Sequence, residues 1–171
     1  MEETKNKIWD DKFGLIEGVG KDAEIVTNEK GGKQSKAPMA MHLVDPEFLR
    51  RWFQDNNRVI ENITDYMIQD NLGYLTQAIY ECHVELTGSV EKEDMALVTI
   101  AKVLQEGAAK YSPNNWRLIP QEEHLNHALI HYLAYKLGDK QDDHLEHCMC
   151  RLMMAYATEK SKGFEYNRYV A

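Results

Sequence analysis

Apolar residues recur at helical spacing along most of the chain after residue 45, and this pattern predicts a bundle of helices. Asp45 and Pro46 mark the first helix start, because aspartate caps a helix N-terminus and proline fits the first turn. The spacing predicts helices over about 48–69, 75–86, 94–111, 121–137 and 143–159. The expected fold class is therefore all-α, a helical bundle of about five helices.

Residues 1–45 have a different character. Glycines and a proline interrupt them, and only Asp22 to Thr27 contains a short β-like run. We expect an irregular N-terminal arm over 1–45, a helical domain over 46–162 and a tail over 163–171.

Composition narrows the class of protein. The 171 residues suit one compact domain, and the net charge of −8 argues against a nucleic-acid polymer as partner, since such binding needs a basic surface. No apolar run reaches the roughly 20 residues that a membrane-spanning helix needs, and the N-terminus has no signal-peptide core. Cys82, Cys148 and Cys150 give an odd count, so we expect free thiols and a cytoplasmic protein without a membrane partner.

Five of the seven histidines lie between residues 124 and 147. His124, His127 and His131 fall on one stripe of a predicted helix that is otherwise largely apolar. Only a short turn separates this helix from the next, so the two are expected to be antiparallel neighbours. One face of the second helix carries Asp143, Glu146, His147 and Cys150, with Asp139 and Asp142 just upstream. Imidazoles opposite carboxylates form a candidate metal site: carboxylates suit Mg²⁺ or Mn²⁺, and added imidazoles favour Mn²⁺, Co²⁺ or Zn²⁺.

Each of these residues also has a structural interpretation. Asp143 and Glu146 have the spacing of a capping box at a helix start. His124 is expected at the surface, and His127 and His131 are equally well explained as hydrogen-bonded core histidines.

A second segment suggests a nucleotide. Lys110 to Arg117 combines two cations, two asparagines and two aromatic rings in one connection, which are the groups that stack on a base and contact phosphates. The alternative is a rigid turn with Trp116 buried as a plug. The loop Gly31 to Lys36 offers backbone N–H groups and two lysines to phosphates, although it lacks the spacing of a P-loop.

Two blocks of the sequence resemble one known family. They are Gly31-Gly32-Lys33-Gln34-Ser35-Lys36 followed by His42 to Leu49, and Val103 to Ala155 with its Asn115-Trp116-Arg117 and His144-Leu145-Glu146-His147. The family is that of the phage-type dATP/dGTP diphosphohydrolase-like proteins, which is similar to the MazG-like all-α nucleoside triphosphate pyrophosphohydrolases. Residues 50–95 look like an insertion outside this resemblance.

The resemblance implies metal-dependent cleavage of a purine deoxynucleoside triphosphate into monophosphate and pyrophosphate, with Mg²⁺ or Mn²⁺ as cofactor and Zn²⁺ ranked below them. The implied metal ligands are His131, Asp139, Asp143, Glu146 and His147, with Glu146 and Asp143 also catalytic. The implied substrate-binding residues are Lys110, Asn115, Trp116, Arg117, Lys33, Lys36 and His127. The resemblance also implies a homo-oligomer and a phage product that acts in the host cytoplasm.

The chain departs from the family pattern in one respect. MazG-like proteins carry paired carboxylates on two facing helices, whereas the helix over 121–137 offers histidines there and only Asp143-x-x-Glu146 fits. A non-catalytic nucleotide-binding or sequestering protein, a purely structural protein and a zinc hydrolase are the alternatives. The zinc hydrolase ranks lower because the chain has no His-Glu-x-x-His motif.

Overall fold

The computed structural model describes residues 9–10, 15–16, 18–19, 23–54 and 56–166. The first eight residues of the predicted arm and residues 167–171 of the predicted tail lie outside the described residues. Across the described ranges six α-helices follow one another: α1 Pro46–Trp52, α2 Arg58–Gln69, α3 Gly73–Thr87, α4 Met95–Lys110, α5 Gln121–Lys136 and α6 His144–Tyr156. The prediction of an all-α fold with an irregular N-terminal arm is confirmed. Within the described residues, no helix is both long and apolar enough to cross a membrane.

Four short strands precede the helices. β1 Trp9–Asp10 pairs antiparallel with β2 Leu15–Ile16, and β3 Ile25–Thr27 pairs antiparallel with β4 Lys33–Ser35. The second hairpin turns at Asn28, whose Oδ1 accepts hydrogen bonds from the backbone N–H of Lys30 and Gly32. Glycine suits position 32, since a Cβ there would lie 3.0 Å from the Leu118 carbonyl oxygen and would crowd it. The hairpin is thereby packed directly against the segment before α5.

The predicted single helix over 48–69 is wrong, because the chain forms α1 and α2 instead. Gln54 adopts a positive φ of 67° after α1, which no continuous helix allows. Asn57 then caps α2 by accepting a hydrogen bond from the Ile60 N–H. Asp45 caps α1 in the predicted way, since its Oδ2 accepts from the Phe48 N–H at 2.9 Å.

The core forms where α5 packs against one side of α6. The helix α3 also packs against α6, and α2 packs against α3. Buried apolar side chains from both central helices meet there, among them Leu125, Leu129, Met149 and Leu152. Buried residues occur all around α5, so its polar side chains are also enclosed. A buried polar group must find a hydrogen-bonding partner, which explains the networks that α5 makes with α6 and with residues 39–42.

Candidate metal and nucleotide site

A cavity of about 840 Å³ opens between the β3–β4 hairpin, α4, α5 and α6. Its walls come from β4 and the residues that follow, the last turns of α4, the 3-10 helix Asn115–Leu118, and the facing sides of α5 and α6. A space of this size is in the range of small-molecule sites. The cavity therefore combines the histidine-rich helices with both segments that the sequence suggested for a nucleotide.

Three potential metal ligands meet on the wall formed by α5 and α6. One ligand atom each from His131, Asp142 and His147 lies within 4.8 Å of the others. The His147 Nδ1 is 3.1 Å from the Asp142 Oδ2, and the rings of His131 and His147 are 5.2 Å apart between centroids. No other group of three or more histidine, cysteine or acidic side chains in the described part of the chain has this geometry.

The electrostatics of the three residues suit a cation. Burial alone would raise the pKa of Asp142, but the hydrogen bond and charge of His147 lower it to about 2. Burial would lower the pKa of His147, but the hydrogen bond and charge of Asp142 raise it. Burial lowers the pKa of His131 well below the usual value, and the charges of its two histidine neighbours add to that effect. Asp142 is therefore ionised and His131 neutral at neutral pH, which are the forms that bind metals.

Behind His131 lies a chain of hydrogen bonds that leads away from the cavity. The Nδ1 of His131 is 3.0 Å from the Nδ1 of His144, and the Nε2 of His144 is hydrogen-bonded to Asp139. The side chains of His144 and Asp139 are almost wholly buried, with 1% and 2% of their surface exposed. The other oxygen of Asp139 accepts a hydrogen bond from the Gln141 N–H at 3.1 Å, so the carboxylate is fixed on both sides.

Arg151 supplies positive charge one helical turn beyond His147. Its Nη1 donates to Gln34 Oε1 at 2.9 Å and to His124 Nδ1 at 3.0 Å. Burial lowers the pKa of Arg151 to about 10, which leaves it charged at neutral pH. Burial and the Arg151 charge lower the pKa of His124 to about 3, so His124 is neutral. Within the described residues no carboxylate oxygen lies within 4.0 Å of Arg151, and its charge faces the cavity without a counter-ion.

The opposite wall carries an aromatic ring and further cations. The Arg117 guanidinium lies 4.3 Å from the centroid of the Trp116 ring, and the Trp116 carbonyl accepts a hydrogen bond from His124 Nε2 at 2.9 Å. Asn115 joins this wall to the hairpin, because its Oδ1 accepts from the Lys33 N–H and its Nδ2 donates to the Lys33 carbonyl. The Asn115 amide is thus used in holding the walls together.

Most of the residues predicted from the sequence line this cavity. They are Lys33, Lys36, Lys110, Asn115, Trp116, Arg117, His127, His131 and His147. The structure does not bring the predicted carboxylates there: Asp139 lies behind His144, Asp143 is exposed, and Glu146 is half-buried with a pKa raised by burial and by the charge of Asp143. The capping alternative for Asp143 is wrong, since its side chain accepts no hydrogen bond from the helix start. Roles for these acids in metal binding or catalysis stay predictions.

His124 is fully buried, so the expectation of a surface residue is wrong. The Trp116 carbonyl and Arg151 occupy its two ring nitrogens, and this satisfies the imidazole without water. Asp142, Arg151 and His144 were not among the predicted site residues. One signal for two of them exists in the sequence: Asp139 to His144 and Asp142 to His147 are aspartate–histidine pairs at the same spacing of five residues.

Residues 93–167 match a family model described as dATP/dGTP diphosphohydrolase, N-terminal. The matched segment contains α4, α5 and α6, and with them His131, Asp142, His147 and Arg151. The match indicates a hydrolase of the diphosphohydrolase type that acts on a nucleotide. No curated protein and no solved structure matches the chain.

Proposed function

We propose that the protein is a metal-dependent pyrophosphohydrolase that converts purine deoxynucleoside triphosphates to monophosphate and pyrophosphate. One observation carries the proposal: a single cavity holds a cluster of metal-ligating side chains and a half-buried arginine that has no counter-ion among the described residues. The phosphates of the substrate would provide negative charge both to the metal ion in the cluster and to the arginine, since phosphates bind metal cations and guanidinium groups.

His131, Asp142 and His147 would hold the cation. Two imidazoles and one carboxylate suit Mn²⁺ better than Mg²⁺, which prefers oxygen ligands and retained water. We place Zn²⁺ below both because the chain has no His-Glu-x-x-His motif. When bound, the cation would neutralise phosphate charge and lower the pKa of a coordinated water. The ionised Asp142 and the neutral His131 need no proton loss before binding, whereas the pKa of His147, raised by Asp142, makes metal binding there more sensitive to pH.

Arg151 would bind the phosphate chain next to the metal cluster. Its Nη1 is held by Gln34 and His124, so the guanidinium is fixed in place before substrate arrives. Lys33 and Lys36 line the same cavity and are exposed, which suits the outer phosphates. A water oxygen would bond to the α-phosphorus and lose a proton to solvent while the bond to the bridging oxygen breaks, and pyrophosphate would leave with that electron pair.

The Trp116 and Arg117 wall would receive the nucleoside. Trp116 is half-buried and lines the cavity, and a purine ring stacks well on an aromatic or guanidinium plane. Asn115 would act indirectly, because both ends of its amide hold Lys33 in place. The larger π-surface of a purine is the reason why we expect dATP or dGTP to be preferred over pyrimidine nucleotides.

The test is a panel of triphosphates with purified protein and either Mn²⁺ or Mg²⁺, with release of pyrophosphate as the readout. We expect pyrophosphate from a purine deoxynucleotide, and loss of at least 100-fold in rate in Asp142→Asn, on the order of one lost metal ligand. Asp94→Asn is the matched control, because Asp94 is an exposed aspartate outside the cavity whose side chain makes no cap bond. Release of inorganic phosphate alone, or full activity in Asp142→Asn, would contradict the proposal.

A specific observation favours one second candidate. The cluster holds a single carboxylate in the part of the chain that the structure describes, fewer than the paired acids of MazG-like proteins. A nucleotide-binding protein without turnover would need only the cations and the aromatic wall. In that case a purine deoxynucleotide would raise the melting temperature by mass action while no pyrophosphate appears.

A further inference from the structure

We propose that Asp139 and His144 are positioning residues that fix the tautomer of His131, so that its Nε2 carries a free electron pair toward the cavity. As far as a bound cation is concerned, the inference rests on the proposed function. The tautomer itself can be tested without any metal. The sequence-based interpretation made Asp139 a direct metal ligand, whereas the structure places it two hydrogen bonds away from the cavity wall.

The argument begins at the carboxylate. Asp139 accepts a hydrogen bond from Gln141 on one oxygen and faces the His144 Nε2 with the other. A carboxylate only accepts hydrogen bonds, so the His144 Nε2 must carry a proton. Since the side chains are 1% and 2% exposed, no water can readily replace either partner. Asp139 therefore determines which nitrogen of His144 bears the proton.

The second step passes from His144 to His131. With a proton on Nε2, a neutral His144 presents a bare Nδ1, which can only accept. That atom lies 3.0 Å from His131 Nδ1, so His131 must donate from Nδ1. The remaining His131 nitrogen, Nε2, then has no proton. It makes no hydrogen bond with the described residues, and His131 lines the cavity.

This arrangement gives the two histidines different functions. A metal ligand needs a bare nitrogen, and metal-binding histidines commonly donate their other N–H to a partner that fixes the ring. Here the partner is a second histidine, itself oriented by a buried carboxylate. Without the carboxylate, His144 can shift its proton to Nδ1, and the pair then forces a proton onto the His131 Nε2.

Two substitutions at His144 separate positioning from packing. In His144→Asn the side-chain oxygen can take the place of the Nδ1 acceptor and keep the His131 tautomer. In His144→Leu the volume is similar and the acceptor is lost. His83→Leu is the matched control, because His83 is also a buried histidine, at 2% exposure, and lies outside the cavity.

The experiment has two readouts. Nitrogen NMR of the imidazole rings in chelator-treated protein shows which nitrogen of each histidine is protonated. Titration with Mn²⁺ alone, followed by electron paramagnetic resonance of the free ion, gives the affinity. We expect His131 protonated at Nδ1 in the wild-type protein, a 10- to 100-fold weaker affinity in His144→Leu, in the range known for such outer partners, and near wild-type affinity in His144→Asn and His83→Leu.

Each outcome decides something. A proton on the His131 Nε2, or a doubly protonated His144 in the wild-type protein, overturns the inference whatever the metal does. Equal Mn²⁺ affinity in His144→Leu and the wild-type protein also overturns it, provided that the variant keeps its helical circular dichroism. If His144→Leu does not fold, the NMR of the wild-type protein still decides the tautomer. The expected tautomer in a protein that binds no Mn²⁺ leaves the inference standing and refutes the proposed function.

Discussion

Replacing Arg151 with methionine should weaken nucleotide binding strongly while lowering the free energy of unfolding by only about 2 kcal/mol. Methionine keeps most of the length of the side chain and removes its charge. The guanidinium makes two hydrogen bonds to neutral acceptors, Gln34 at 2.9 Å and His124 at 3.0 Å, and has no carboxylate partner within the described residues. Its charge therefore contributes to the binding of an anion far more than to the folded state alone.

The magnitudes follow from these contacts. A charge-assisted hydrogen bond to phosphate contributes roughly 1.5–3 kcal/mol, which corresponds to about 10- to 150-fold in affinity. For the free energy of unfolding, methionine leaves two buried acceptors, Gln34 Oε1 and His124 Nδ1, without their donor, which costs about 1–3 kcal/mol each. Part of this cost is offset because a partly desolvated cation no longer has to be enclosed, and we expect a net loss of about 2 kcal/mol.

Calorimetry with an α,β-imido purine triphosphate measures the affinity without turnover, and urea unfolding measures the stability. Arg58→Met is the control, because Arg58 is an exposed arginine that does not line the cavity. It should change neither quantity. The reasoning is refuted if Arg151→Met binds the nucleotide as well as the wild-type protein does, and most clearly if the variant is also destabilised by several kcal/mol, since Arg151 would then be a structural residue.

Three further outcomes are expected. Burial lowers the pKa of His124 to about 3 and that of His127 further, so both are neutral in the folded protein. In the unfolded chain the histidine pKa is about 6.5, and below that pH the unfolded chain therefore binds more protons than the folded protein. Stability is therefore lost as the pH falls, by roughly 2 kcal/mol per histidine between about pH 7 and pH 5, which urea unfolding at both values will measure. Titration with Mn²⁺ should show an affinity about ten-fold weaker, or more, in Asp142→Asn, as for the loss of one ligand, and no change in Asp143→Asn. The reverse result would favour the ligand set predicted from the sequence. Burial raises the pKa of Cys150 to about 11, so a thiol reagent should modify Cys150 slowly in the folded protein, and rapid reaction would show that the reagent reaches the thiol from the cavity that Cys150 lines.

Helical periodicity predicted those site residues that lie on the helices themselves. The spacing of His127, His131 and His147 placed them on facing helices, and the structure brings all three to one cavity. Helical periodicity applies only within a helix, however, and Asp142 lies two residues before α6 begins at His144. The predicted helix began at Asp143, which explains why the prediction took the exposed Asp143 rather than Asp142 as the carboxylate partner.

Other differences arise from contacts between distant parts of the chain. The expected exposure of His124 rested on its place near the start of a helix, where side chains often face water. In the fold the Trp116 carbonyl and Arg151 enclose it, and no local pattern encodes that. Arg151 stands among apolar residues of α6, and its partner Gln34 lies 117 residues away in a strand that the sequence did not predict.

The cavity is lined by two groups of side chains, one from the helices and one from the β3–β4 hairpin. His147 and Arg151 are four residues apart on α6 and so share one face, with their Cβ atoms about 6 Å apart. A rigid helix thus fixes the spacing between a metal ligand and the cation that would bind phosphate, and both lie in the segment that matches the diphosphohydrolase family. Lys33 and Gln34, by contrast, come from a hairpin outside that segment and depend on Asn115 for their position. Because α5, α6 and the turn between them hold the metal cluster, changes in the hairpin can alter which nucleotide binds without disturbing the metal ligands.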